Sequence, residues 1–369
     1  DIETRKGQPM WCLVDIPEKA MPGKYFGKVI VTCDNASSAK EINIELVVKN
    51  ETAKNNGVNE PWKMTRLKWL NSTMAQANTV IAPYTPLQIS GDTIGLLGRK
   101  VILDDNGLPK QIQTFFTPEM TSYQSQPNNL LTESMHFHFT KASDSKDLKL
   151  KKGGVNFTLR SPGTVQWTAV NTSDDLQMEV EGSLEFDGFV SYKVKVTALN
   201  DIDLSNITMH IPFEKQEAKY MMGLGLKGEK RPEDFKWKWD VANKNQDGVW
   251  IGNVNAGLHY SLRDENYTRP LNTNFYLQKP LLLPTSWGNG TNGGIDIGEK
   301  GKSILADNYS GPRSMKKGDV LYYNFNLLIT PFHPINTDFQ WANRFYHAYR
   351  PIDTIKATGA TIINIHHAT

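Results

Sequence analysis

Alternation of apolar and polar residues with a period of two constrains this chain more than any other feature. It runs through SYKVKVT (191–197) and DVLYYNFNLLI (319–329), as it must in strands with one face in a core and the other toward water. Turn chemistry separates such runs: Asp104-Asp105-Asn106-Gly107, Ser161-Pro162-Gly163, Asp187-Gly188 and Gln246-Asp247-Gly248 all place residues that tolerate a left-handed or tight backbone between strands. From Trp62 to about residue 335 the pattern implies one large antiparallel domain of two packed sheets, a β-supersandwich. Short helices or turns are expected at 214–220 and 231–234.

Ahead of it, YFGKVIVT (25–32) and EINIELVV (41–48) alternate around a turn at Asp34-Asn35 and Ser37-Ser38, so residues 1–50 read as an incomplete small Ig-like β-sandwich. The polar stretch 51–61, with Asn55-Asn56-Gly57, reads as a linker. Cys12 and Cys33, the two cysteines of the chain, lie on neighbouring strand-like runs, and either a disulfide or two small buried thiols fits that placement.

The pattern changes after Pro331-Phe332-His333-Pro334. A helix-like run at 351–358, Gly359 as its stop and an apolar strand at 361–365 make a short α/β segment over 336–369, foreign to everything before it. The strand ends on His366 and His367, and within this chain no parallel neighbour is expected for it.

Charge narrows the functional classes. Lys and Arg number 41 against 39 Asp and Glu, scattered along the chain, so no basic footprint for nucleic acid is present. No apolar run approaches the roughly 18 residues of a membrane span. The first residues carry neither an initiator Met nor a signal-peptide core, as expected of a mature or excised piece.

Candidate chemistry is sparse. Met135-His136-Phe137-His138-Phe139 places two imidazoles on one strand face, a geometry that can share a metal; with no third ligand signalled nearby, partly solvated histidines and no metal or cofactor are expected. Phe235, Trp237 and Trp239 form an aromatic stripe, which serves either as core or as a platform for sugar rings. The segment PTSWGNGTNGG (284–294) sets Trp287 among Asn289, Asn292 and glycines, a composition expected of a surface loop that touches a glycan or a partner domain. Glu185 and Asp187 share a strand face, but Gly188 after them points to a turn rather than a catalytic pair.

Several stretches resemble a known family. QPMWCLVDIP (8–17) with PGKYFGKV (22–29) resembles the small β-sandwich of glycoside hydrolase family 123 and its relatives. RLKWLNS (66–72), PYTPL (83–87), DNGLP (105–109), EFDG (185–188) and YMMGLG (220–225) resemble the large β-domain of the same proteins, and YRPID (349–353) through NIHHAT (364–369) resembles the entry to their (β/α)8 barrel. The resemblance implies a secreted bacterial enzyme, periplasmic or extracellular, whose barrel cleaves N-acetylhexosaminides with an adjacent Asp-Glu pair. The Asp264-Glu265 pair lies among β-hairpins, so that role is not carried onto it. The implied function of residues 1–369 is then non-catalytic scaffolding and substrate shaping, with a glycan and the protein's own C-terminal catalytic domain as partners. His366 and His367 mark the barrel mouth, and Trp237, Trp239, Trp287, Asn289 and Asn292 are the candidate sugar contacts. The alternatives are a freestanding carbohydrate-binding module and a complete glycosidase with its site around His136, His138 or Glu185.

Overall fold

The structure, a computed structural model, describes residues 14, 16–17, 19–32, 39–52, 54, 78–239, 247–267, 283–343, 345–346 and 359–363. Cys12, Cys33, Gln246, His366, His367, the expected helix at 351–358 and most of the 51–61 stretch lie outside the described residues. The chain divides into two compact units, 1–77 and 78–369.

In the first unit, strands Gly23–Val31 and Lys40–Val48 pair antiparallel over their whole length, from Gly23 opposite Val48 to Val31 opposite Lys40. Phe26, Ile30, Ile42 and Val47 are exposed on this ribbon.

The second unit is built from three antiparallel sheets. The largest has ten strands. From one edge it runs through Leu226–Lys230, Tyr220–Gly223, Gly248–Asn253, Ala256–Arg263, Asn324–Thr330, Phe189–Ala198, Leu176–Glu185, Thr164–Thr172 and Asn156–Arg160, and Val320–Tyr322 also pairs with Phe189–Ala198. A six-stranded sheet follows the order Asp234–Lys238, Gly294–Lys300, Ser303–Tyr309, Ile202–Glu214 and Arg313–Met315, with His136–Lys141 on the other side of Ile202–Glu214. The third, five-stranded, is a meander of Gln88–Ser90, Thr93–Leu96, Arg99–Leu103, Pro109–Phe116 and Tyr123–Asn129.

Alternation becomes burial where the sequence shows it. Along Phe189–Ala198 the buried side chains are Val190, Tyr192, Val194, Val196 and Ala198, and along Leu176–Glu185 they are Leu176, Met178, Val180 and Leu184. Gly182 occupies the remaining inward position because Trp167 stands directly opposite; a Cβ there would lie 2.2 Å from the indole. The same indole donates to the Gly107 carbonyl at 2.8 Å, fastening the hairpin at 104–108 to the ten-stranded sheet. Buried residues of all three sheets join in one hydrophobic cluster.

The turns fall where their chemistry places them. Gly107 (φ 86°) and Gly188 (φ 98°) adopt left-handed backbone between paired strands. The long run 319–329 divides at Tyr323 without losing register: the Asn324 side chain accepts from the Val194 amide at 2.9 Å in place of a backbone carbonyl. Segment 215–217 is a turn, and 231–233 is irregular with a bend at Glu233; neither is a helix.

Near the end, Asn336 caps the short helix Thr337–Ala342 by accepting from the Phe339 amide at 2.8 Å. Ile362–Ile363 pairs in parallel with Phe345–Tyr346. The expectation that the strand at 361–365 has no parallel neighbour is therefore corrected. The aromatic run around Phe345, whose spacing is mixed, supplies the partner strand. Gly359 precedes it in a left-handed conformation (φ 68°).

Candidate functional site

The tryptophans proposed as sugar contacts are core residues of this unit. Trp287 is 0% exposed, Trp237 5% and Trp239 3%. Trp237 and Trp239 meet edge to face with centroids 4.7 Å apart, and Trp239 packs similarly on Tyr267. Trp287 sits in a four-residue helix, Thr285–Gly288, and its indole donates to the Asn324 carbonyl at 2.9 Å while its ring packs against Tyr323 and Phe137.

The expectation of a surface loop at 284–294 is thus corrected for Trp287, and the reason lies in the glycines. A Cβ on Gly293 would fall 1.8 Å from the Trp287 carbonyl oxygen, so glycine here permits a tight fold around a large ring. Asn289 closes the helix in a left-handed conformation and donates to the Ser310 and Pro312 carbonyls at 2.8 and 2.9 Å. Asn292 is exposed.

The carboxylates considered from sequence have structural partners. Asp187 accepts from the Phe189 amide at 2.9 Å and so shapes its turn. Glu185, at the end of its strand, has its pKa raised by burial and then by Asp187. Asp264 is buried and accepts from the amides of Asn266, Tyr267 and Thr285, which clamps the loop against the Trp287 helix. Glu265 beside it is exposed and lines a cleft of about 320 Å³ with Glu179, Glu181, Lys193 and Lys195. A buried ion pair, Arg263 with Asp247 at 2.6 Å, also receives the Tyr267 hydroxyl at 2.8 Å.

The histidines form the densest group of potential ligands among the described residues. His136 and His138 share the face of His136–Lys141 opposite Phe139, as the alternation requires. The neighbouring strand adds a third ring: His210 stands directly across from His136, and beyond it in register come Asp307 and Asp296 on the next two strands. One nitrogen from each histidine falls within 4.8 Å of the others, with ring centroids 4.4 Å apart for His138 and His210 and 5.0 Å for His136 and His210.

Carboxylates flank the group. His138 Nδ1 lies 2.9 Å from Asp147, whose other oxygen accepts from the Phe139 amide. His210 Nε2 lies 3.1 Å from Asp307 Oδ1 but out of line for a hydrogen bond, so that buried oxygen lacks a donor. Burial lowers the pKa of His138 despite Asp147, and it lowers His210 to about 4 despite Asp307. Burial alone would raise Asp147; hydrogen bonds from Lys149 and the Phe139 amide, with the nearby positive charge, outweigh it and hold the carboxyl below its ordinary value. His210 was not legible beside the His-x-His pattern because strand register, not sequence proximity, brings it there. Glu185 belongs to the ten-stranded sheet and does not join these rings.

Antiparallel sheets closed over one core define a mainly β protein of the large supersandwich class. The chain belongs to the glycoside hydrolase 123 family: residues 87–331, well over half of it, match "Glycoside hydrolase 123, third domain", and residues 336–369 match "Glycoside hydrolase 123, TIM-barrel domain". No curated protein matches the chain.

Among solved structures, a galactose mutarotase related enzyme from Lactobacillus acidophilus is 8% identical with a TM-score of 0.38, over 68% of this chain and 99% of that one. A putative aldose 1-epimerase from Escherichia coli K12 is 8% identical with a TM-score of 0.34, over 67% and 98%. A heparan sulfate lyase HepC mutant from Pedobacter heparinus is 8% identical with a TM-score of 0.31, over 66% and 34%. Likenesses this distant bear no weight on function.

Proposed function

We propose that residues 1–369 form the non-catalytic, substrate-shaping part of a bacterial glycoside hydrolase that acts on glycans of the N-acetylhexosaminide type, in the periplasm or at the cell surface. The observation that carries this is the order of the family matches: the third domain ends at residue 331 and the TIM-barrel match starts at 336. An eight-stranded barrel takes about 250 residues, so the stretch 336–369 corresponds to a small part of one. Its parallel strand pair is of the kind a barrel uses. Within the β-domain the adjacent Asp264-Glu265 pair favours the same reading, since three amides engage the buried Asp264 carboxylate in holding its loop.

The β-domain's part is to hold loops beside the barrel and to offer a rim to the glycan. Among the five side chains considered as sugar contacts, Asn292 is the one that stands exposed, while the three tryptophans act by fixing the loops from within. No described helix is long and apolar enough to cross a membrane.

The test is turnover of aryl N-acetylgalactosaminides and N-acetylglucosaminides by the purified 369-residue chain. None is expected. Turnover that is lost on Glu265→Gln or Glu185→Gln, with the fold retained, would place catalysis in the β-domain and overturn the proposal.

A further inference from the structure

We infer that His136, His138 and His210 are the ligands of a divalent transition-metal site, of the imidazole-rich kind that zinc occupies, on the outer face of the six-stranded sheet. Hydrogen positions carry the first step. His136 Nδ1 lies 2.7 Å from the Ser134 carbonyl, which only accepts, so that nitrogen bears its ring's hydrogen. His138 Nδ1 faces the Asp147 carboxylate at 2.9 Å and bears the hydrogen of its ring likewise. Each neutral ring is then left with a lone pair on Nε2, and these two nitrogens point at each other across 2.9 Å. Two lone pairs at that separation repel unless a cation lies between or beside them.

Geometry supplies the second step. Zinc bound by imidazole at 2.0–2.1 Å in a tetrahedron sets its nitrogens about 3.4 Å apart. The three histidines offer nitrogens all within 4.8 Å of one another, so side-chain rotations of a few tenths of an ångström to about an ångström complete the set. The surroundings match those of bound metals, in which each ligating imidazole gives its second N–H to a carbonyl or a carboxylate. Ser134 and Asp147 do this for His136 and His138, and Asp307 stands next to His210 with an oxygen that has no donor.

Lys149 and Lys300 pair with Asp147 and Asp307, so the carboxylates are held in place without being removed from the site. Phe139 and Met209, buried on the opposite face of the same two strands, fix the backbone that carries the rings. Three protein ligands leave one tetrahedral position to water. A metal here ties the strand His136–Lys141 to Ile202–Glu214.

The experiment uses the full 369-residue chain stripped with a chelator and titrated with zinc against a chromogenic competitor, then with cobalt(II) for its visible spectrum. One equivalent of zinc with a submicromolar Kd, and cobalt bands of four-coordinate nitrogen and oxygen ligation, are expected. His210→Gln, chosen to preserve volume, should weaken zinc at least 100-fold, and Asp147→Asn about 10-fold to 100-fold, the range for partners of metal-bound imidazole. X-ray absorption of the zinc-loaded wild type should show three imidazole nitrogens, which keeps the proposal testable even where a variant does not fold. Absence of stoichiometric binding, sulfur in the coordination shell, or unchanged affinity in a folded His136→Gln/His210→Gln double variant would each overturn it.

Discussion

Arg99 holds the five-stranded sheet to the ten-stranded one, and replacing it by methionine tests that role. Its side chain is 1% exposed and donates four hydrogen bonds to carbonyls: Leu97 at 3.0 Å, Asp187 at 2.8 Å, Ile329 at 2.8 Å and Phe332 at 3.0 Å. Burial lowers the guanidinium pKa to about 10, with Tyr84 and Asp187 opposing, so the group is charged at neutral pH. Methionine fills most of the volume and donates nothing. A fully buried carbonyl left without a donor costs about 1–3 kcal/mol, and of the four bonds only that to Ile329 is fully buried; water can reach the others. Relief of the desolvated charge offsets part of the loss.

The net expectation is destabilisation by about 1–2 kcal/mol, the loss at the Ile329 carbonyl less that relief. At a urea m-value of about 3 kcal/mol/M this lowers the midpoint by about 0.5 M. Arg99→Lys should fall between, because an ammonium on a flexible stem cannot reach four carbonyls set for a planar fork. Far-UV dichroism and tryptophan fluorescence should report one coincident transition. A methionine variant within about 0.5 kcal/mol of wild type, at unchanged m, would show that water satisfies these carbonyls and that the clamp contributes nothing.

Trp287→Ala should cost about 3–5 kcal/mol in chemical denaturation, since it removes a fully buried indole and its bond to Asn324, whereas Trp287→Phe, which loses the bond but keeps a buried ring, should cost less; equal losses would argue against the ring packing. Gly182→Val should destabilise by about 1–3 kcal/mol through overpacking against Trp167, and a wild-type midpoint for that variant would contradict the packing. Burial raises the pKa of Glu217, so the native state binds its proton more tightly than the unfolded chain, and stability falls as pH rises from the ordinary glutamate value through the raised one. Glu217→Gln should therefore be more stabilising relative to wild type at pH 7 than at pH 4; a difference independent of pH would refute the shift.

Strands and turns were legible because each depends on residues close in sequence. The alternation of Tyr192, Val194 and Val196 is the same fact as their burial, and Gly107 and Gly188 announce the left-handed backbone that their turns adopt. Trp287 was misjudged because glycine has two meanings. In an open loop it reports freedom, but at Gly293 it reports a backbone approach so close that no Cβ fits, and composition alone does not separate them.

The histidine cluster shows a different limit. His136 and His138 are two residues apart, and their common face follows from the strand period alone. Their meeting with His210 depends on a pairing register, and shifting that register by one residue would turn His210 into the core and Met209 outward. What fixes the register is the apolar face: Met209 and Ile211 are buried in the strand that carries His210, as Phe139 is in the strand that carries His138. The polar cluster is thus set by packing on the opposite side of the sheet. A substitution that disturbs that packing, such as Met209→Asp, should therefore impair both stability and metal affinity, although its side chain faces away from the three rings.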